Sequence, residues 1–326
     1  MKKKLVKIAA SILAVTMMVG NVSYAAGGWT QQGDDWYYTN RDGMMLSRQM
    51  TTIDSYKYAF DDSGRMVRNA WYYNNEDSKW YYMDGSGVVV KGWMQIGSGW
   101  YYFLSTGSMV SDGWRTIEGS RYYFAEDGVM RQNGYVGEKY LNSNGINDSR
   151  YDIKVRGKVD KDVLEEAGDA TRNVPGWVLR HIIDSGWKIA CNAEKEDFGV
   201  LSHDDYNSEY TRYCNLETSR KLIFFTQPEY TLQGIGLYVN NSFGKPGSTE
   251  DFQGAYSVDW DQASNLFPQQ PIIEKSKDIP FAEVFALYYS DDDDLRERFR
   301  EDCPSLCEYM DRFMADCFAK AGTASK

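Results

Sequence analysis

Between Gly27 and Asn147 one aromatic phrase keeps returning: GGWTQQGDDWYYTNRDGMM, IDSYKYAFDDSGRMV, WYYNNEDSKWYYMDGSGVVV, GWMQIGSGWYYFLSTGSMV, GWRTIEGSRYYFAEDGVM and a weaker NGYVGEKYLNSNGI. The glycine that closes each unit falls at Gly43, Gly64, Gly87, Gly107, Gly128 and Gly145, a period close to twenty residues. That period is too short for helical repeats and suits one β-hairpin per unit. A short aromatic strand such as WYYF alternates its faces, and a glycine-containing turn then reverses the chain. One hairpin alone is marginal in water, so each must bury its aromatics against the next. The expected fold of this half is a β-hairpin solenoid with aromatic clefts between neighbouring units.

The phrase is carried by the pairs Gly28–Trp29, Gly92–Trp93 and Gly113–Trp114 and by the triplets Trp36–Tyr38, Trp80–Tyr82 and Trp100–Tyr102. In these features the array resembles the choline-binding, cell-wall-binding repeats of Gram-positive surface proteins and glycan-binding toxin tails. The resemblance implies that aromatics of neighbouring hairpins cage the quaternary ammonium of choline, as borne by wall teichoic acid; a wall or host glycan is the other ligand class. An ammonium over aromatic faces gains about 0.5–2 kcal/mol. Most of the aromatics must nevertheless form the solenoid core, because hairpins this small have little else to bury. The units Trp93–Tyr102 and Trp114–Tyr123 keep the fullest pattern, which makes Trp93, Trp100 and Trp114 the candidate cage residues. The second unit has Tyr56 and Tyr58 but no tryptophan, and the fifth has Arg121 in place of the triplet's tryptophan, so fewer cages than repeats are expected to work.

The chain opens MKKK, then the apolar run LVKIAASILAVTMMVG and NVSYAA. Lysines, a short apolar core and small residues describe a secretory signal peptide over residues 1–25, cut after Ala25. The run is short for a spanning helix, and no later stretch is apolar enough to be one. A secreted protein held at the cell wall by binding is the expectation. The formal charge is −11, and losing the leader's Lys2, Lys3, Lys4 and Lys7 makes it more negative. An acidic chain is a poor candidate for nucleic acid or anionic lipid. The cysteines, Cys191, Cys214, Cys303, Cys307 and Cys317, all lie in the C-terminal half, and their odd number leaves a thiol unpaired in a monomer. No CxxC pair exists to hold a structural zinc.

After Asn147 the aromatic repeat stops, and NDSRYD reads as a linker. Residues 148–326 have the length of an α+β domain. KDVLEEAGDATRNVPGWVLRHIIDSG has helical periodicity broken at Pro175 and ended by Gly186. GWKIACN and RKLIFF read as strands, and the segment from Phe281 to Phe318 shows the three-and-four spacing of packed helices.

Three stretches, VPGWVLRHIIDSGWKI, YTLQGIGLYV and PFAEVFALYY, resemble the lethal-factor and Pro-Pro endopeptidase group of secreted zinc peptidases. Such enzymes need two histidines one helical turn apart, with a glutamate beside the first as general base. The resemblance places the first histidine on Gln233, the base on Gly234, the second histidine on Leu237 and the third ligand on Glu283, the only one retained. A lone carboxylate does not hold zinc tightly, so no metal, no cofactor and no peptidase chemistry are expected from this zincin-like domain.

The chain has two histidines, His181 and His203, which read as a packed and a solvated side chain. A Cys–His nucleophile pair drawn from these and Cys191 or Cys214 has no family signature around it. The acidic run Asp291–Asp294 lacks the spacing of a calcium loop and suits a helix N-terminus. The resulting expectation is a wall-binding aromatic solenoid followed by a peptidase-like domain that binds a peptide or protein without cutting it. The competing readings are an active hydrolase with a site of another kind, and a structural spacer or adhesin without peptidase ancestry.

Overall fold

The computed structural model describes residues 27–192, 214–266 and 278–323. The expected signal peptide and His203 lie outside these described residues. The chain divides into two compact units, one of Met1–Met94 with Tyr102–Met109 and one of Gln95–Tyr101 with Val110–Lys326.

Twelve short strands pair consecutively into antiparallel hairpins, as the twenty-residue period predicts. They are β1 (Gly28–Gln32) with β2 (Asp35–Thr39), β3 (Gln49–Ile53) with β4 (Tyr56–Phe60), β5 (Ala70–Asn74) with β6 (Lys79–Met83), β7 (Gly92–Ile96) with β8 (Gly99–Phe103), β9 (Gly113–Ile117) with β10 (Ser120–Phe124), and β11 (Gly134–Val136) with β12 (Lys139–Leu141). The second and fifth turn on Asp54–Ser55 and Glu118–Gly119, where φ is positive at both central residues (46° and 73°, 50° and 81°). That is the turn whose twist matches the strands it joins.

Four of the hairpins are followed by a tight loop with its own side-chain clamp. The carboxamide or carboxylate oxygen of Asn40, Asp61, Asp84 and Asn142 accepts two backbone N–H groups, from the residues two and four positions on. Such Asx geometry favours these residues in turns. The repeat glycines then reverse the chain with φ between 73° and 86°. They also leave space for a neighbour: a Cβ on Gly107 would lie 2.2 Å from Val89 Cγ1, and one on Gly87 would lie 2.5 Å from Met66 Sδ.

One backbone bond per repeat joins a loop to the preceding hairpin. Met66 N–H donates to Trp36 O (2.7 Å), Val89 to Lys57 (2.9 Å), Met109 to Trp80 (2.8 Å), Met130 to Trp100 (2.8 Å) and Asn147 to Arg121 (2.8 Å).

In the C-terminal half a four-stranded sheet runs in the order β13 (Lys154–Arg156), β14 (Lys188–Asn192), β16 (Leu222–Phe225), β15 (Cys214–Glu217). The first three are mutually parallel, and β15 is antiparallel to β16. Helices α1 (Lys161–Ala170) and α2 (Gly176–Asp184) are separated at Pro175, and Gly186 takes φ 81° after the second, as the sequence predicts. Further on come α3 (Thr231–Ser242), α4 (Glu250–Leu266), α5 (Asp278–Tyr288), α6 (Asp293–Asp302) and α7 (Pro304–Thr323). Asp292 caps α6 by accepting the N–H of Leu295 at 3.0 Å, so the acidic run serves a helix terminus.

The NDSRYD stretch differs from the expected linker. Asp152 is buried and its carboxylate accepts from Tyr140 N–H (3.0 Å), Asn147 Nδ2 (3.1 Å) and Lys139 Nζ (3.1 Å), while Tyr140 joins the core of the helices and sheet. A buried carboxylate needs such partners. They tie the last hairpin to the segment that follows it.

Candidate aromatic ligand site

The loop-to-hairpin bonds define which residues are equivalent from repeat to repeat. Trp36, Lys57, Trp80, Trp100 and Arg121 occupy one position, because each offers its carbonyl to the following loop. On the partner strand the register pairs Trp29 with Tyr38, Met50 with Ala59, Trp71 with Tyr82 and Trp114 with Tyr123. Trp29, Met50, Trp71 and Trp114 therefore form a second equivalent position.

In the first and third hairpins both positions hold tryptophan, and the two rings meet diagonally across the hairpin. Trp29 and Trp36 stand edge to face with centroids 6.4 Å apart, and Trp71 and Trp80 repeat that arrangement at 6.4 Å. Tyr58 of the next hairpin adds a third ring, 4.7 Å from Trp29, and the Met66 loop is docked on Trp36. Trp29, Trp36, Tyr58 and Met66 are all half-buried, so the group keeps solvent access while its far side rests on the buried Phe60, 5.9 Å from Trp29. Edge-to-face rings present negative π-faces at an angle to one another, which suits a compact, weakly hydrated cation.

The sequence-derived cage residues are placed as follows. Trp93 stands edge to face on Tyr102 at 5.1 Å. Trp100 is 39% exposed, and Trp114 stands on Tyr123 at 5.4 Å. The Arg121 guanidinium lies over the Trp114 ring, 4.4 Å from its centroid. The Trp29–Trp36–Tyr58 group and the Trp71–Trp80 pair were not singled out from the sequence. The signal that finds them is a first-strand tryptophan, after Gly28 in the first hairpin and after Ala70 in the third, standing seven or nine residues before the triplet's tryptophan in the same hairpin.

Residues 27–45, 91–109 and 112–130 match the choline-binding family described as putative cell wall binding repeats. The N-terminal region carries choline-binding-type repeats. These repeats are similar to parts of several solved structures. Choline binding protein F from Streptococcus pneumoniae is 33% identical over 41% of this chain and 44% of that one, with a TM-score of 0.34. The choline-binding domain of CbpL from Streptococcus pneumoniae is 28% identical over 38% of this chain and 65% of its own, with a TM-score of 0.34. The pneumococcal cell wall endolysin from phage Cp-1, complexed with choline, is 31% identical over 39% and 38%, with a TM-score of 0.29. The chain thus spans less than two thirds of the length of each. No curated protein matches the chain.

Outside the choline-binding-type repeats, the positions assigned to a degenerate zinc site lie on α3 and α5. Gly234 faces the sheet: a Cβ there would sit 3.1 Å from Ile223 Cγ2 and 3.5 Å from Phe224 O. Gly236 faces α5, with a hypothetical Cβ 2.8 Å from Ala282 Cα and 3.0 Å from its carbonyl oxygen. Each glycine costs about 1 kcal/mol of helix propensity relative to Ala, offset by the close approach it permits. Leu237 is buried in the core, and Gln233 leaves its Oε1 buried without a hydrogen-bond partner among the described residues.

Glu283 is 8% exposed, and burial pushes its carboxyl up to about 8. It forms no ion pair with a described residue, and no group of metal-ligating side chains occurs among the described residues. His181 shares a 2.9 Å hydrogen bond with Tyr238 Oη, and burial holds its imidazole below its ordinary pKa. Cys191 is buried, with its thiol pushed up to about 11, the opposite of what a nucleophile needs. All five cysteines are buried and none is in a disulfide. Among the described residues no helix is long and apolar enough to cross a membrane.

Proposed function

We propose that this is a secreted, cell-wall-associated protein whose N-terminal hairpins bind the quaternary ammonium of choline on a surface polymer such as wall teichoic acid. The carrying observation is the half-open group of Trp29, Trp36 and Tyr58, three rings converging from two hairpins beside the Met66 loop. The matched repeats at 27–45, 91–109 and 112–130 support the same reading. Hairpins that keep both tryptophans, which include the one bearing Trp93 and Trp100, are the binding hairpins. Direct ammonium–aromatic contact is worth about 0.5–2 kcal/mol per site, so several weak sites on one chain act together on a polymer bearing many cholines.

Choline titration of the full chain, followed by calorimetry and tryptophan fluorescence, tests this. Saturable binding that weakens in Trp36→Ala supports it. Saturable binding to a choline-free glycan with none to choline counts against it.

The same proposal gives the C-terminal half a zincin-like ancestry and a role in binding a peptide or protein, without metal or peptide cleavage. Its support is the set Gln233, Gly234 and Leu237 at the positions of the missing ligands and base, with Gly234 pressed against the sheet. Zinc titration of the full chain tests it, since tight stoichiometric binding returns the hydrolase reading.

A further inference from the structure

Of the five hairpins that offer this carbonyl to a loop, two carry a cation where three carry a tryptophan. Lys57 and Arg121 occupy the position of Trp36, Trp80 and Trp100, as their carbonyl bonds to Val89 and Asn147 establish. Both side chains turn onto a ring. Lys57 Nζ lies 4.9 Å from the centroid of Tyr81, which is the third hairpin's counterpart of Tyr58. The Arg121 guanidinium lies 4.4 Å from the centroid of Trp114, diagonally across its own hairpin, where Trp36 meets Trp29 in the first. In each case the aromatic face that remains after loss of the tryptophan is already covered by a positive charge belonging to the chain.

We propose that Lys57 and Arg121 are built-in substitutes for the ligand's ammonium, closing the second and fifth hairpins to quaternary ammonium ligands and confining binding to hairpins that keep both tryptophans. This rests on the choline reading above. The rings attract a cation through their π-faces, and a covalently tethered guanidinium is present at a far higher effective concentration than any free ligand. The sixth hairpin departs at other positions. Lys139 stands at the counterpart of Tyr58, neutralised by Asp152 (3.1 Å) and Glu138 (3.2 Å), and Asn147 stands at that of Met66. Trp114 is therefore a structural and self-satisfied ring, although its own repeat is among those that match the family.

The test uses the full chain labelled with nitrogen-15. Indole N–H signals, assigned through Trp→Phe variants, are followed while choline chloride is added. The expected result is saturable movement of the Trp29 and Trp36 signals with no movement of Trp114. In Arg121→Gln the Trp114 signal is expected to respond, at least tenfold more weakly than Trp36, because Lys139 and Asn147 supply neither a ring nor a thioether wall. Movement of Trp114 together with Trp36 in the unaltered chain overturns the proposal, and so does a Trp114 that stays silent in Arg121→Gln. If no indole responds, the choline reading itself fails, and this proposal with it.

Discussion

Met66 donates its backbone N–H to the carbonyl oxygen of Trp36 across 2.7 Å, so one residue of a loop fixes the position of a tryptophan in the preceding hairpin. The bond recurs down the array with different side chains at the acceptor position, and it is what makes Trp36, Lys57, Trp80, Trp100 and Arg121 comparable. The backbone sets the geometry, and the side chain at that position decides whether the interface is an open aromatic group or a filled one.

Replacing Trp36 by alanine removes one of the rings around Trp29 but leaves the backbone bond to Met66 in place. Choline binding at that interface is expected to weaken about 2- to 30-fold, the equivalent of about 0.5–2 kcal/mol. Calorimetric titration of the variant against the unaltered chain measures it, with circular dichroism confirming that the hairpins persist.

Gly107 and Gly43 take almost the same backbone conformation, φ 86° and 78°, yet they differ in surroundings. A Cβ on Gly107 meets Val89 at 2.2 Å, while one on Gly43 meets nothing within 4 Å. Gly43→Ala is expected to cost about 1–2 kcal/mol, the price of a side chain in the left-handed region. Gly107→Ala adds overpacking against a β-branched side chain that cannot swing away, for a total of about 2–5 kcal/mol. Urea unfolding of both variants separates the conformational part from the packing part.

Gly234→Glu restores the residue type that a zinc peptidase uses as its base. The new carboxylate would enter between α3 and the sheet, where the nearest atoms belong to Ile223, Phe224 and Cys214. An uncompensated buried charge costs about 3–5 kcal/mol, so the variant is expected to lose stability and gain no peptidase activity, even with Gln233→His and Leu237→His. Thermal unfolding and a fluorogenic peptide assay with added zinc check both halves of that expectation.

Glu283 gives the fold a pH dependence whose sign follows from its burial. Its carboxyl is raised from 4.5 to about 8, so the folded chain holds a proton that the unfolded chain releases. Its contribution is fully present below about 4.5 and declines as pH rises to about 8, beyond which it changes no further. The slope between those limits is at most about 1.4 kcal/mol per pH unit. Glu283→Gln is expected to flatten that part of the profile and to raise stability at pH 8, read from urea midpoints across the range.

The sequence by itself determined the hairpins and their spacing, because glycines with positive φ and alternating aromatics encode turns and two-faced strands locally. It also determined the helix break at Pro175 and the capping role of the acidic run before α6, for the same local reasons. The tertiary structure decided which residues of neighbouring hairpins are equivalent. The second unit's Tyr56 and Tyr58 leave its alignment with Trp36 open, and the bond from Val89 settles it on Lys57; with a strand period of two a shift of one residue exchanges the faces. Only the fold, likewise, brings Arg121 over Trp114 and turns Gly234 toward Ile223, since each depends on a partner that chain spacing alone does not place.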